Sequence, residues 1–266
     1  MKHFVVDMDL CNGCYCCQIA CKDEHVANDW MPYTKPQPDT GQFWLKLSEE
    51  VRGTVPKVKV SYLPQMCMHC ADAKCMDACK IEGAIYRRED GINVIDPTKC
   101  TGCKLCSDAC RYGAIYFNED LNIAQKCTGC AHLMDDEWAE PRCVDACPTG
   151  ALRFAEESEL KEQIAGAEPL KGEKPGTTLV HYLNLPKRFV AGTVYDPVEK
   201  EVIIGATCTL KAKGGDKTQQ VETDNFGDFW FHGVEVGEDR VYSLTIEKNG
   251  KTKVIDEIVC KTDVNL

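Results

Sequence analysis

Sixteen of the nineteen cysteines fall into four groups of four. They are Cys11, Cys14, Cys17 and Cys21; Cys67, Cys70, Cys75 and Cys79; Cys100, Cys103, Cys106 and Cys110; and Cys127, Cys130, Cys143 and Cys147. The first and third groups read C-x2-C-x2-C-x3-C. The second and fourth keep the C-x2-C and C-x3-C ends and lengthen the middle gap. Thiolates at this spacing hold [4Fe–4S] cubanes. Three come from a loop wound around one face of the cluster, and the fourth must arrive from elsewhere. The pattern therefore predicts four cubanes, with all sixteen cysteines as iron ligands, in a protein that conducts electrons. Zinc accounts for isolated C-x2-C pairs but gives no reason for a third Cys at x2 in two groups and a fourth at x3 in all four. A disulfide scaffold conflicts with the odd count and with the adjacent pair Cys16-Cys17.

The C-x2-C-x2-C-x3-C run belongs to bacterial two-cluster ferredoxins, in which the last Cys of each run ligates the other cluster. Internal repetition agrees. Gly83-Ala84-Ile85, Gly113-Ala114-Ile115 and Gly150-Ala151-Leu152 follow groups two, three and four, and each leads into a short apolar strand. Strands are expected before the loops at Phe4-Val5-Val6-Asp7, at 92–96 and at 123–126.

The elements that position these loops divide the chain. Residues 1–155 are expected to form a cluster domain of tandem ferredoxin-like units. An insertion at about 22–62, with Trp30, Pro32, Tyr33, Pro36, Pro38 and Trp44, is expected to be ordered but irregular. It either covers the outermost clusters or docks on a partner. Residues 156–187 read as a surface helix, to about Ala165, and a connector, with Leu179-Val180-His181-Tyr182 as a further strand. Residues 188–266 read as short strands at 189–195, 202–204, 206–212, 218–223, 228–232, 241–247 and 253–259, with turns at Gly214-Gly215 and Asn249-Gly250. The fold class expected is α+β: a ferredoxin-like cluster domain followed by an all-β immunoglobulin-like or prealbumin-like sandwich. Cys208 and Cys260 sit in strands and read as buried packing residues, and Cys16 as a small packing residue.

The formal charge of −11 disfavours nucleic acid and anionic lipid as partners. No apolar run is long enough to span a bilayer. Met1-Lys2-His3-Phe4 runs straight toward the first cluster motif, which leaves no room for a signal peptide and predicts cytoplasmic cluster assembly. Export with a signal-bearing partner is the alternative. No nucleophile, base and orienter grouping is visible, so no catalytic residue is expected. His69 and His132 lie beside cluster loops, where packing or a hydrogen bond to sulfur is expected. Lys80 and Arg111, directly after Cys79 and Cys110, are candidates for raising a cluster potential.

The order and spacing of the four groups resemble the four-cluster electron-transfer subunits of dimethyl sulfoxide reductase family molybdenum oxidoreductases. By that resemblance Cys11, Cys14, Cys17 and Cys147 hold one cluster, and Cys127, Cys130, Cys143 and Cys21 its neighbour. Cys67, Cys70, Cys75 and Cys110 hold a third, and Cys100, Cys103, Cys106 and Cys79 the fourth. Cys21-Lys22-Asp23-Glu24-His25, Gln125-Lys126-Cys127-Thr128 and the 131–137 segment are similar to small subunits of the pyrogallol–phloroglucinol transhydroxylase branch and related aromatic hydroxylases and dehydroxylases. Val190-Ala191-Gly192 and the 223–229 segment resemble the β-module (Cna B-type or transthyretin-like) that such subunits carry. The resemblance implies a non-catalytic subunit that relays electrons between an external redox partner and a large subunit holding a molybdenum bis-pterin cofactor. Small subunits in that branch can lack the third cysteine group, which this chain keeps whole; that favours net hydroxylation or dehydroxylation over transfer. A respiratory molybdenum reductase subunit and a freestanding polyferredoxin are the alternatives.

Overall fold

Strand β1 (Lys2–Asp7) is apolar on both faces, with Phe4, Val5 and Val6 at most 1% exposed. Only the middle of a sheet buries a strand so fully. Its neighbours come from far along the chain in the computed structural model, which describes residues 1–170, 177–214 and 217–266. Part of the expected connector, and Gly215 of the expected Gly214-Gly215 turn, therefore lie outside the described residues.

The elements follow in order. After β1 come α1 (Cys16–Val26), a hairpin of β2 (Lys46–Thr54) and β3 (Lys57–Gln65), α2 (Lys74–Ala78), β4 (Ile85–Arg87), β5 (Asn93–Ile95) and α3 (Leu105–Asp108). Next are β6 (Tyr116–Asn118), β7 (Ile123–Gln125), α4 (Ala131–Asp135), α5 (Arg142–Asp145), β8 (Leu152–Glu156), α6 (Lys161–Ala165) and β9 (Val180–Leu183). Strand β8 pairs antiparallel with β1, Val6 facing Leu152, and β9 pairs parallel with it, Phe4 facing Val180. Hairpins β4–β5 and β6–β7 are the small strand pairs of the cluster repeats. The surface helix starts at Lys161 rather than Glu156, because Glu156 is still in β8 opposite Lys2. The insertion is more regular than expected: α1 runs into it, and its second half is the β2–β3 hairpin.

The chain divides into two compact units. Met1–Glu50 and Ser61–Leu185 make the first; Val51–Val60 and Pro186–Leu266 make the second. The first has two cores. One gathers Phe4, Val6, Trp44, Met68, Val94, Val144, Leu152 and Tyr182 around Cys17, Cys21 and Cys143. The other packs Ile85, Ile95, Ile115 and Ala124 around Cys106, with Cys75, Cys79, Cys100 and Cys110 at its margin. Helix α1 packs on α5 in the first core, and α2 packs on α3. The cysteine groups are thus joined one with four and two with three.

In the second unit β10 (Phe189–Thr193) is followed by β11 (Tyr195–Asp196), β12 (Glu201–Val202), β13 (Thr207–Ala212), β14 (Thr218–Glu222), β15 (Asp228–His232), β16 (Val241–Lys248), β17 (Lys251–Val259) and β18 (Val264–Asn265). Strands order as β15-β10-β18 in one sheet and β14-β13-β16-β17 in another. Alternation sends Cys208, Leu210, Phe229, Phe231, Tyr242 and Leu244 into one shared core. This is a β-sandwich. Asn249 and Gly250, both at positive φ, turn β16 into β17 as a two-residue hairpin requires. Cys208 and Cys260 are fully buried in that core, where burial pushes each thiol up to about 11.

Candidate metal centres

Each cysteine loop bends through left-handed backbone at one shared position. Gly13, Gly102 and Gly129, each just before the second Cys, have φ of 73°, 75° and 63°. Glycine suits them sterically as well. A Cβ on Gly13 would lie 2.5 Å from the Tyr62 ring, and one on Gly102 would lie 2.6 Å from the Asn122 carbonyl oxygen. In the second group the same position is His69, at φ 45°. Backbone N–H groups turn toward sulfur: Gly129 to Cys127, Ala114 to Cys110 and Ala124 to Cys100, each at 3.4 Å.

The sixteen thiols gather in four sets, and each set takes its fourth member from another group. Cys100, Cys103, Cys106 and Cys79 line one cavity, walled by Ile85 and Ile95. Cys67, Cys70, Cys75 and Cys110 line a second, with Ala73 and Ile115. The other two sets are read from the charges each thiol meets. Burial first, and then charge on Cys11, Cys147 and Cys14, pushes Cys17 up to about 12 against the Gln18 N–H. Burial, followed by Cys130, Cys21 and Cys127, holds Cys143 well above the thiol range. Burial and then Cys127 and Cys130 do the same to Cys21.

The sets also lie near enough in series for charge on one to act on the next. Cys17 acts on both Cys21 and Cys143, Cys67 acts on Cys127, and Cys75 acts on Cys106. The order is the Cys11 set, the Cys127 set, the Cys67 set, then the Cys100 set.

The donors fit iron–sulfur clusters. Each set is all thiol. Among the described residues no three Cys, His, Asp or Glu side chains converge tightly enough to hold a single ion. Thiols spread around a cavity match a cube with iron at four corners. Burial favours the neutral thiol in most of these residues, so binding must expel protons. Cys147 differs: burial would raise it, but N–H groups of Leu152, Thr149 and Ala151 and the Thr149 hydroxyl together pull it below the ordinary thiol range.

The insertion is fastened over this framework. Trp30 stacks on His132 at 4.3 Å between centroids, and Trp44 is 1% exposed against His25. His132 Nε2 lies 3.0 Å from Glu24 Oε1, and Arg142 holds the other Glu24 oxygen at 3.3 Å. Gln125 donates to the Lys35 and Pro36 carbonyls at 2.8 and 3.0 Å. Of the basic residues singled out, Arg111 is exposed and lines the Cys67 cavity, and Lys80 is exposed. Cys16 is exposed, beside the exposed Cys14. Lys126 and His69, 2% and 1% exposed, lie between the Cys67 and Cys127 loops. Sequence reasoning missed Lys126. The signal was its place directly before a cluster cysteine, but a lysine there reads as a surface residue.

Comparison with known proteins agrees with this architecture. The 4Fe-4S dicluster domain family matches residues 58–157, and the carboxypeptidase regulatory-like domain family matches residues 190–262. The chain is 39% identical to the pyrogallol hydroxytransferase small subunit of Pelobacter acidigallici, over 96% of this chain and 95% of that protein. It is 34% identical to a subunit of the sulfite dehydrogenase of Allochromatium vinosum, over 50% of this chain and 57% of the relative. It is 36% identical to a subunit of the anaerobic dimethyl sulfoxide reductase of Escherichia coli, over 48% of this chain and 60% of the relative. The last two matches span only about half of each protein. No helix among the described residues is long and apolar enough to cross a membrane.

Proposed function

We infer the function from one premise: the chain belongs to the family of iron–sulfur subunits of dimethyl sulfoxide reductase-type molybdenum oxidoreductases, together with the pyrogallol hydroxytransferase small subunit. It is an electron-transfer subunit and not itself the catalyst. Its second unit belongs with the Cna B-type or transthyretin-like modules. Its clusters are four [4Fe–4S] cubanes, held by the four crossed sets of cysteines, and their assembly is cytoplasmic. When bound, they supply one-electron redox chemistry within the roughly −700 to +450 mV that such clusters span.

The chain's own contribution is arrangement. The crossed serial order of the thiols carries this reading. Cys14 at one end of the series and Cys103 at the other are exposed, whereas Cys21, Cys67, Cys130 and Cys143 in the middle are buried. An electron can enter and leave at the wet ends and is insulated between them. One end serves a large subunit with a molybdenum bis-pterin cofactor, the other an external donor or acceptor. The similarity to a hydroxytransferase small subunit over nearly the whole chain, second unit included, favours an aromatic hydroxylase, dehydroxylase or transhydroxylase partner over a respiratory reductase or a freestanding shuttle.

The test is anaerobic purification from the native source, with metal analysis and a redox titration followed by electron paramagnetic resonance. Four cubane signals, about four irons per set of four thiolates, and a co-purifying molybdenum protein are expected. Zinc in place of iron, or a single cluster, removes the reading. Elution without a large partner removes the subunit assignment and leaves a shuttle.

A further inference from the structure

Lys126 is a buried ammonium with no counter-ion among the described residues. It is 2% exposed. Its Nζ donates to the Cys127 carbonyl at 3.0 Å and to the Asn93 carbonyl, and no carboxylate of the described residues pairs with it. A buried charge held only by two carbonyls is costly unless an anion compensates it. Asn93 in turn donates its side-chain N–H to the Cys70 carbonyl at 2.9 Å, so Lys126 bridges from the Cys127 loop to the Cys67 loop and stands between the second and third cysteine sets of the series.

His69 shares this place. Asn93 pairs with Arg87 across the β4–β5 hairpin, and its own N–H and carbonyl are taken by His69 and Lys126. The Asn93 N–H donates to His69 Nδ1 at 3.2 Å. Nδ1 is therefore the bare nitrogen, and the ring proton is on Nε2. That Nε2 is buried and has no partner among the described residues. His69 also stands at the left-handed position where the three sister loops use glycine. A side chain there is strained, and such outliers persist where the surrounding structure over-determines them. Among the described residues the Lys126 ammonium, held by two carbonyls, has no anion, and the His69 N–H has no acceptor; both sit on Asn93, between two sets of cluster thiols.

We propose that Lys126 and His69 form a fixed donor pair between the two inner clusters, the Lys126 ammonium compensating their negative charge and the His69 Nε2–H facing sulfur, and that the pair holds their potentials above what the cysteine loops alone would set. This rests on the four-cluster reading. Charge and hydrogen bonds at sulfur are the protein's levers on cluster potential. The pair makes the buried middle of the series easier to reduce, which keeps an electron moving between the ends.

The experiment is a redox titration, with paramagnetic resonance, of wild type and three variants of the whole protein with its partner. Lys126→Gln keeps a donor for the carbonyls and removes the charge. Lys126→Arg restores charge. His69→Gly restores the sister-loop residue and removes the N–H. In Lys126→Gln we expect the reduced-to-oxidised ratio of the two inner clusters, at fixed ambient potential, to fall about tenfold, which is ~59 mV for a one-electron couple. The end clusters should stay in place, and Arg should recover most of the change. His69→Gly should lower one inner cluster. Four cubanes with unchanged potentials in Lys126→Gln and His69→Gly, or an equal shift of all four, overturns the proposal. So does failure of both Lys126 variants to load, which marks the position as packing. Loading by Arg but not by Gln supports it. Absence of cubanes from wild type would remove the four-cluster reading instead.

Discussion

His3 on β1 and His181 on β9 lie with Nδ1 and Nε2 2.8 Å apart, buried and stacked. Two rings at that distance share one hydrogen bond only if at least one accepting nitrogen is bare. Both are pushed below the ordinary imidazole range, chiefly by burial; His181 lies at about 4. Glu157, 3.9 Å from His3 Nε2, opposes the shift of both rings, Glu156 opposes that of His3, and the N-terminal ammonium adds to it. The unfolded chain therefore binds more protons than the folded one below the free-imidazole value of about 6.5. Stability from this pair is complete above that value and is lost as pH falls from there toward about 4. Thermal midpoints should drop between pH 7.5 and pH 5, and His181→Phe should flatten the drop. A midpoint in wild type that does not move over this range excludes the shared-proton pair.

The gathering of thiols is where the chain was most legible, because the spacing of cysteines in a loop is a local property. Cys11, Cys14 and Cys17 announce a cluster without any knowledge of the rest. Cys147, their fourth companion, became readable only through family resemblance, since the helix that returns it is more than a hundred residues away. The second unit was legible for a related reason: its strands alternate inward and outward, as with Cys208 and Leu210 or Phe229 and Phe231. The parallel pairing of β1 with β9 was not, because nothing in Phe4 or Val180 names its partner. The β2–β3 hairpin was hidden by polar residues on exposed strands, whose burial pattern has only Leu47 and Arg52 inward in β2. Lys126 was hidden by its own chemistry, since a charged side chain carries no sequence mark of burial.

The crossing of groups makes a prediction that simple adjacency does not. Cys110 follows Cys106 in sequence but lines the cavity of Cys67, Cys70 and Cys75. Cys110→Ala should therefore deplete or convert the cluster of the second group and leave the Cys100 set intact. Cys79→Ala should do the reverse. Spin quantitation with iron analysis separates the cases. Loss of the Cys100-set signal in Cys110→Ala would mean that ligands stay within their own runs.

Gly102 and Gly113 share left-handed backbone, with φ of 75° and 62°, but differ in surroundings. A Cβ on Gly113 meets nothing within 4 Å, whereas one on Gly102 strikes the Asn122 backbone. Gly113→Ala should cost only the conformational penalty of about 1–2 kcal/mol. Gly102→Ala should cost more than that and also lower iron content, because the loop carrying Cys100 and Cys103 must shift. Equal denaturation midpoints for the two variants would show that the Asn122 contact is not limiting.

Cys16 and Cys14 lie two residues apart, and both are exposed. Backbone placement assigns them unequal roles. Cys16 stands at the first residue of α1, so its Cβ is already committed to the helix, whereas Cys14 lies in the loop that Gly13 turns. Cys16→Ser keeps a donor of similar size and should leave iron content, signal number and potentials as in wild type. Cys14→Ser, with Cys16 present, should lose the end cluster. If Cys14→Ser retains a full cubane signal that disappears only when Cys16 is also replaced, Cys16 is a reserve ligand and the assignment of the Cys11 set must be redrawn.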